Sequence, residues 1–291
     1  MDFHSNTLNQ DLIRLVQALS ARVKLPAIKQ LILPQINIAT DSKYTKFGLL
    51  LLEDNSSGFF YRLADVGDNT NQNLLTSLHA QADRLVGMDV ATAAQWLDDE
   101  NDLKIGIGMA AINAISQHVF TKIGYRPAGI TPGHSHVERA KRSRHVGMVG
   151  YFAPIVKQLV ELKIPLTVIE LDPTLYQQRD QLTVTGDLTQ LADTDYIICT
   201  ASTLLNHSLE HILSHYANDR FFELIGPTCG CFADPLFARG VDLIGGSQVV
   251  DLAATRARIE SGEPWSQAVD KFVIEADSYP EFPNLLVQLQ Q

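Results

Sequence analysis

The chain has 291 residues, 45% of them apolar and 19% charged, with 33 acidic against 23 basic side chains and a formal net charge of −10. These values describe a globular protein with two domains, and the acidic balance excludes nucleic acid as the main partner, since phosphate binding needs surplus Lys and Arg. The polar start MDFHSNTLNQDL is no signal peptide, and the longest apolar run, FGLLLL (47–52), is too short to span a bilayer. Three cysteines without a secretory signal predict reduced thiols and a cytoplasmic location. Residues 6–23 read as an amphipathic helix with Asn6 as N-cap and Leu8, Leu12, Leu15, Val16 and Leu19 on one face. Residues 31–40 and 45–53 read as strands, the second joined through DNSSG to FFYRLADVG in a hairpin. A helical region follows from about Asn71 to Trp96, with Leu74, Leu78, Leu85 and Val86 as its apolar residues and Gly87 as a break. IGIGMAAINAISQHVF (105–120) begins Gly-rich and turns helical. Strands first and helices after predict an α+β domain over residues 1–130.

The segment 125–145, with two prolines and two glycines, reads as an inter-domain connection, and its RAKRSR run as solvated, with Arg139 or Arg144 able to meet a phosphate or carboxylate. Beyond it strands and helices alternate. VGMVG, PLTVIE, YIICTAS, FFELIGPT and VDLIGGSQVV are the strands, so residues 131–291 should form an α/β domain on a mostly parallel sheet. Residues 251–291 read as a closing helix and an extended tail. The stretch 145–173 is strand, tight turn, helix, strand, with an acidic strand end about 20 residues past the turn, where dinucleotide folds hold a ribose hydroxyl. Its turn, GMVGYF, lacks the full three-glycine pattern.

In an open α/β sheet, ligands bind beyond the carboxyl ends of the strands. That rule selects Gly150, Tyr151 and Phe152; Glu170 and Asp172; Thr200, Ser202, Thr203 and Asn206; and Gly226, Pro227 and Thr228. Gly150 is either a tight turn alone or a ligand contact. Glu170 and Asp172 are either ligand groups or a solvated strand end with Asp172 capping a turn. Four polar side chains in TASTLLN exceed what one helix cap needs, which favours a binding loop. Asn113 is an amide in a small-residue helix; it either caps a local turn or points across a cleft at a ligand. Cys229, Cys231 and His207 are the candidate metal ligands, beside His134 and His136; His207 and His211 stand four apart, as on one helix face. None has the spacing of a structural zinc site. No nucleophile elbow and no P-loop occurs.

GIGMAAINA, GMVGYFAP, VIELDP, TASTLLNHSLE, GPTCG and GVDLIGGSQVVD follow one another in the order that resembles the putative heavy-metal chelation family of bacteria and archaea. The resemblance covers nearly the whole chain. It implies an enolase-N-terminal-like domain followed by a Rossmann-like domain, with the cleft between them as the binding place. Cys229 and Cys231 depart from the Ser, Thr or Pro expected in that loop, so thiolate ligation would be particular to this chain. An enolase-like domain does not imply enolase chemistry. The expected partner is a small anionic molecule, a metal chelate or a chelator precursor, with a homodimer as the commonest assembly. Three functions remain open: metal or metal-chelate handling; an enzyme using a nicotinamide dinucleotide or S-adenosylmethionine with Glu170 on the ribose; and a sensor or scaffold that only binds.

Overall fold

The computed structural model describes residue 3 and residues 5–35, 43–62 and 70–290. Helix α1 (Leu8–Ser20) is opened by Thr7, not Asn6: the Thr7 side chain accepts from the Gln10 amide and the Gln10 side chain accepts from the Thr7 N–H. This reciprocal capping box outcompetes a lone Asn, and Asn6 instead donates to Asp11 Oδ1 at 3.4 Å. Strands β1 (Ile28–Ile32), β2 (Phe47–Leu52) and β3 (Ser57–Tyr61) form an antiparallel sheet in that order. The strand expected over 31–40 starts earlier and ends at Ile32; its residues 36–40, like residues 63–67 of the expected hairpin, lie outside the described residues. Helix α2 (Thr70–Leu85) gives way at Gly87, which has φ +78°, to α3 (Val90–Ala94) and a 3₁₀ turn over Gln95–Asp98.

Helix α4 (Asp102–Ile123) runs unbroken through the Gly-rich start of its sequence. Gly106 and Gly108 are helical here because neighbours press against them. A Cβ on Gly108 would lie 2.3 Å from the Leu97 nitrogen, and a Cβ on Gly58 of β3 would lie 2.0 Å from the Ala110 carbonyl oxygen. Bare backbone thus lets α4 lie directly on the small sheet.

The larger sheet is built from β4 (Ala128–Gly129), β5 (Val146–Val149), β6 (Leu166–Ile169), β7 (Gln177–Arg179), β8 (Leu182–Thr185), β9 (Tyr196–Thr200), β10 (Phe221–Ile225), β11 (Leu243–Val249) and β12 (Val269–Glu275). Their spatial order is β4-β12-β11-β10-β9-β5-β6-β8-β7. The inner six are parallel, and β4, β12 and β7 are antiparallel to their neighbours. The strand order reverses between β5 and β9. Helices α5 (His136–Ala140), α6 (Ala153–Glu161), α7 (Leu209–Tyr216), α8 (Asp234–Phe237), α9 (Leu252–Ser261) and α10 (Phe282–Leu289) complete the described elements. The largest hydrophobic cluster takes residues from both sheets, including Leu50 and Phe60 from one and Ile197 and Phe222 from the other.

Two segments are more ordered than their sequences suggest. The connection 125–145 carries β4 and α5, and α5 is anchored from below. Its His136 Nδ1 lies 2.6 Å from Glu223 Oε2, and its Arg139 also pairs with Glu223, so Arg139 is not a solvated charge. Arg144 pairs with Asp195. The tail 251–291 contains β12, which pairs with β11 over seven residues, and α10. Asp270 and Lys271 interrupt the apolar alternation of β12 and conceal it in the sequence.

Candidate functional site

A cavity of about 690 Å³ opens between β3 and α4 on one side and the ends of β10, β11 and β12 on the other. Phe59, Phe120, Tyr125 and Phe272 supply aromatic wall, and burial pushes the Tyr125 phenol up to about 12, which keeps it neutral. Arg126 and Lys271 stand exposed at the edge, neither with an ion-pair partner among the described residues.

Asn113 projects from the middle of α4 into this cavity and is only 4% exposed. Its Nδ2 donates to the Thr228 carbonyl at 2.8 Å, across from the loop that follows β10. Its Oδ1 is buried and has no hydrogen-bond partner among the described residues. Leaving such an acceptor unpaired costs about 1–3 kcal/mol, a cost that a bound donor removes. Of the two alternatives for Asn113, the structure gives the one that crosses the cleft: it caps no local turn. Pro227 lines the same cavity, and Thr228 is buried behind it.

The other sequence-selected groups gather around the ends of β5, β6 and β9. Gly150 has φ +85°, and a Cβ there would come within 2.9 Å of Thr200 Cγ2, so the tight turn requires glycine. Tyr151 and Phe152, half-buried, follow it, and Phe152 precedes α6 without a side-chain cap. Glu170 accepts from the backbone N–H groups of Tyr151 at 2.9 Å, Leu171 at 2.7 Å and Asp172 at 3.1 Å, so its carboxylate holds the two loops together. Its charge adds to burial in raising the nearby Tyr61 phenol. Asp172 caps the turn over Pro173–Leu175 by accepting from Thr174, whose hydrogen bonds hold its carboxyl below the usual range.

In TASTLLN the polar groups largely serve one another. Thr200 Oγ1 accepts from the Ser202 N–H at 3.4 Å and lies 3.0 Å from Ser202 Oγ; Thr203 Oγ1 donates to the Thr200 carbonyl at 2.6 Å; Asn206 Oδ1 accepts from Ser208. A 3₁₀ turn occupies Ala201–Leu204, and α7 begins only at Leu209. Gly226, with φ +153°, donates to the Gly245 carbonyl at 2.9 Å and turns the chain toward the cavity.

The proposed metal ligands do not converge. Cys229 and Cys231 are fully buried; burial pushes the Cys231 thiol up to about 12 and Cys229 well above its ordinary value. Cys229 Sγ donates to the Gly226 carbonyl at 3.1 Å. His207 precedes α7 at φ +59° and lies 3.0 Å from Asn9 Nδ2, so it shares no helix face with His211. Among the described residues no three His, Cys, Asp or Glu side chains gather around one point. Neutral buried thiols and a solitary imidazole do not fit a resident metal ion, which needs deprotonated ligands in a convergent set.

Sequence reasoning missed Gln117, Arg126, Lys271 and Phe272 as cavity residues. Gln117 could have been found one helical turn beyond Asn113. Lys271 and Phe272 lie in the strand that the sequence did not reveal.

Two family profiles match the chain, over residues 44–116 and 134–275, both described as putative heavy-metal chelation, and the chain belongs to this family. It is similar to two solved structures of unknown function from the DUF364 family. The one from Desulfitobacterium hafniense is 20% identical, with a TM-score of 0.66 over 91% of this chain and 98% of the other. The one from Pyrococcus horikoshii is 17% identical, with a TM-score of 0.64 over 93% and 100%. At these identities the likeness establishes the fold. An uncharacterized protein of Methanocaldococcus jannaschii is 26% identical over 149 residues, 50% of this chain and 55% of the relative, so the match spans about half of that curated protein.

Proposed function

We propose that this protein binds a small anionic molecule in the cavity between its two sheets, and that a heavy metal enters only inside such a molecule, as a chelate. The buried, unpartnered Oδ1 of Asn113 carries the reading. A chain that only packed its sheets together would have an apolar residue or a satisfied amide there. Arg126 and Lys271 supply positive charge at the edge of a molecule that is acidic overall. The absence of a convergent ligand set among the described residues supports the chelate over the bare ion. Binding without turnover, as in a sensor, would use the same cavity.

The finer architecture belongs to the same proposal. Residues 1–130 are read as the enolase-N-terminal-like unit, supported by an antiparallel three-stranded sheet followed by α2 to α4. Residues 131–291 are read as Rossmann-like. Numbered in chain order, the six parallel strands stand 3-2-1-4-5-6, the order of dinucleotide-binding sheets. That order favours a second reading, an adenosyl cofactor (nicotinamide dinucleotide or S-adenosylmethionine) at Gly150 and Glu170, although Glu170 already accepts three backbone N–H groups. A cytoplasmic location fits three free, buried cysteines; no helix among the described residues is long and apolar enough to cross a membrane. A homodimer remains the assembly we propose on general grounds.

Native mass spectrometry of freshly purified protein, with elemental analysis of the same sample, tests the site. The expected result is an organic adduct, with any metal in fixed ratio to it, lost in Asn113→Leu and in Lys271→Ala. An adduct that survives both variants and is lost in Glu170→Ala would overturn the cavity in favour of the adenosyl site.

A further inference from the structure

We infer that the ligand of this cavity lays an amide group along α4 between Asn113 and Gln117, giving its N–H to Asn113 and its carbonyl oxygen, which points the opposite way, to Gln117. The inference rests on the cavity being the binding site, as proposed above. The two residues stand four apart, on one face of the helix and roughly 6 Å apart along its axis, and both line the cavity.

Backbone partners fix the orientation of each amide. The Thr228 carbonyl can only accept, so it takes Asn113 Nδ2 and leaves Oδ1, buried in the wall of the cavity, without a partner among the described residues. The Ser57 N–H can only donate, so it takes Gln117 Oε1, at 2.5 Å, and Ser57 Oγ joins at 3.2 Å. Gln117 Nε2 is the group left over, and it has no hydrogen-bond partner among the described residues. The helix therefore offers an acceptor and, one turn later, a donor.

Beside the aromatic walls of Phe59, Phe120 and Phe272 the cavity is also lined by Ser57, Gln117, Ser247 and Gln248, so a ligand gains over water only where its polar groups match those of the wall. A carboxylate or ketone has only acceptors and would oppose the Asn113 lone pairs. A secondary amide or ureide carries a donor and an acceptor on one short unit. Arg126 and Lys271 would then hold a carboxylate at the outer end. The ligand class is an amide- or ureide-bearing carboxylate with an apolar body.

Hippurate has all three parts: a phenyl ring, a secondary amide and a carboxylate. In 3-benzoylpropanoate a CH₂ replaces the amide N–H, while ring, carbonyl and carboxylate remain. Saturation-transfer NMR titration of the full chain with each compound reads the difference on unmodified protein. Hippurate should bind about tenfold more tightly, because the CH₂ leaves the Asn113 acceptor unpaired. That ratio should fall to about one in Asn113→Leu, whereas Gln117→Met should weaken both compounds alike, since both keep the carbonyl. Equal binding of the two compounds to the wild-type chain, or a preference that persists in Asn113→Leu, would overturn the amide contact and leave the cavity standing. Failure of both compounds to bind would count against the cavity reading itself and take this inference with it.

Discussion

Glu223 is fully buried in the middle of β10, and three side chains from α5 and β9 meet it there. His136 and Arg139 approach it from α5, the Tyr196 hydroxyl donates to it at 2.5 Å, and Arg139 lies 4.0 Å over the Phe221 ring. Burial and the Glu223 charge together raise the Tyr196 phenol, which stays a donor. Removing one partner of a buried pair exposes the other to an unfavourable medium. Glu223→Gln should therefore lower stability by about 3 kcal/mol, read as a fall in the urea midpoint at unchanged slope. A midpoint within error of wild type would show that the ion cluster is not what holds α5 to the sheet. The sequence shows Glu223 only as an acidic residue inside an apolar strand. Its partners on α5 lie 84 and 87 residues away and Tyr196 lies 27 away, and no local pattern announces pairings across such distances. Asn113 was legible for the opposite reason: an amide amid alanines and isoleucines is conspicuous, and burial forces the question of its partners.

At the scale of elements, α4 determines where the site can be. Gly58 and Gly108 remove side chains at the two places where β3 and the turn at Trp96–Leu97 press on the helix, and this close seating brings Asn113 and Gln117 to the cavity wall. Gly108→Ala would gain roughly 1 kcal/mol of helix propensity in isolation. Its Cβ would meet the Leu97 nitrogen at 2.3 Å, and overpacking against backbone costs about 1–3 kcal/mol or more. The variant should melt several degrees lower; a raised Tm would show that the contact can relax. Five of the six parallel strands, β5, β6, β9, β10 and β11, were readable as short apolar runs bounded by Gly, Thr or an acid. The hairpin of β7 and β8 escaped because Gln177–Arg179 is polar throughout and Leu182–Thr185 is only four residues long. The segment 105–120 misled in part, since its Gly-rich start was read as preceding the helix, whereas Gly106 and Gly108 lie within α4, which begins at Asp102.

Across the whole molecule, the site is where two sheets meet, and neither sheet alone contains it. Strand-end rules located the loop after β10, which supplies Pro227 and the Thr228 carbonyl. They could not locate Lys271 and Phe272, whose strand joins the sheet from the end of the chain. Charge works at this scale too: on the proposed reading, Arg126 and Lys271, which have no ion-pair partner among the described residues, would draw an anion to this opening of an acidic protein, with the carboxylate of Asp270 beside them. The same cavity offers no set of thiolates and imidazoles to strip a metal of its ligands. The most direct test is to treat the purified protein with a chelator and titrate it with Ni²⁺, Co²⁺ and Zn²⁺, following the complexes by native mass spectrometry. No one-to-one complex with the bare ions is expected. A stoichiometric complex lost in Cys229→Ser, Cys231→Ser or His207→Ala would contradict the chelate reading and make the chain itself the chelator.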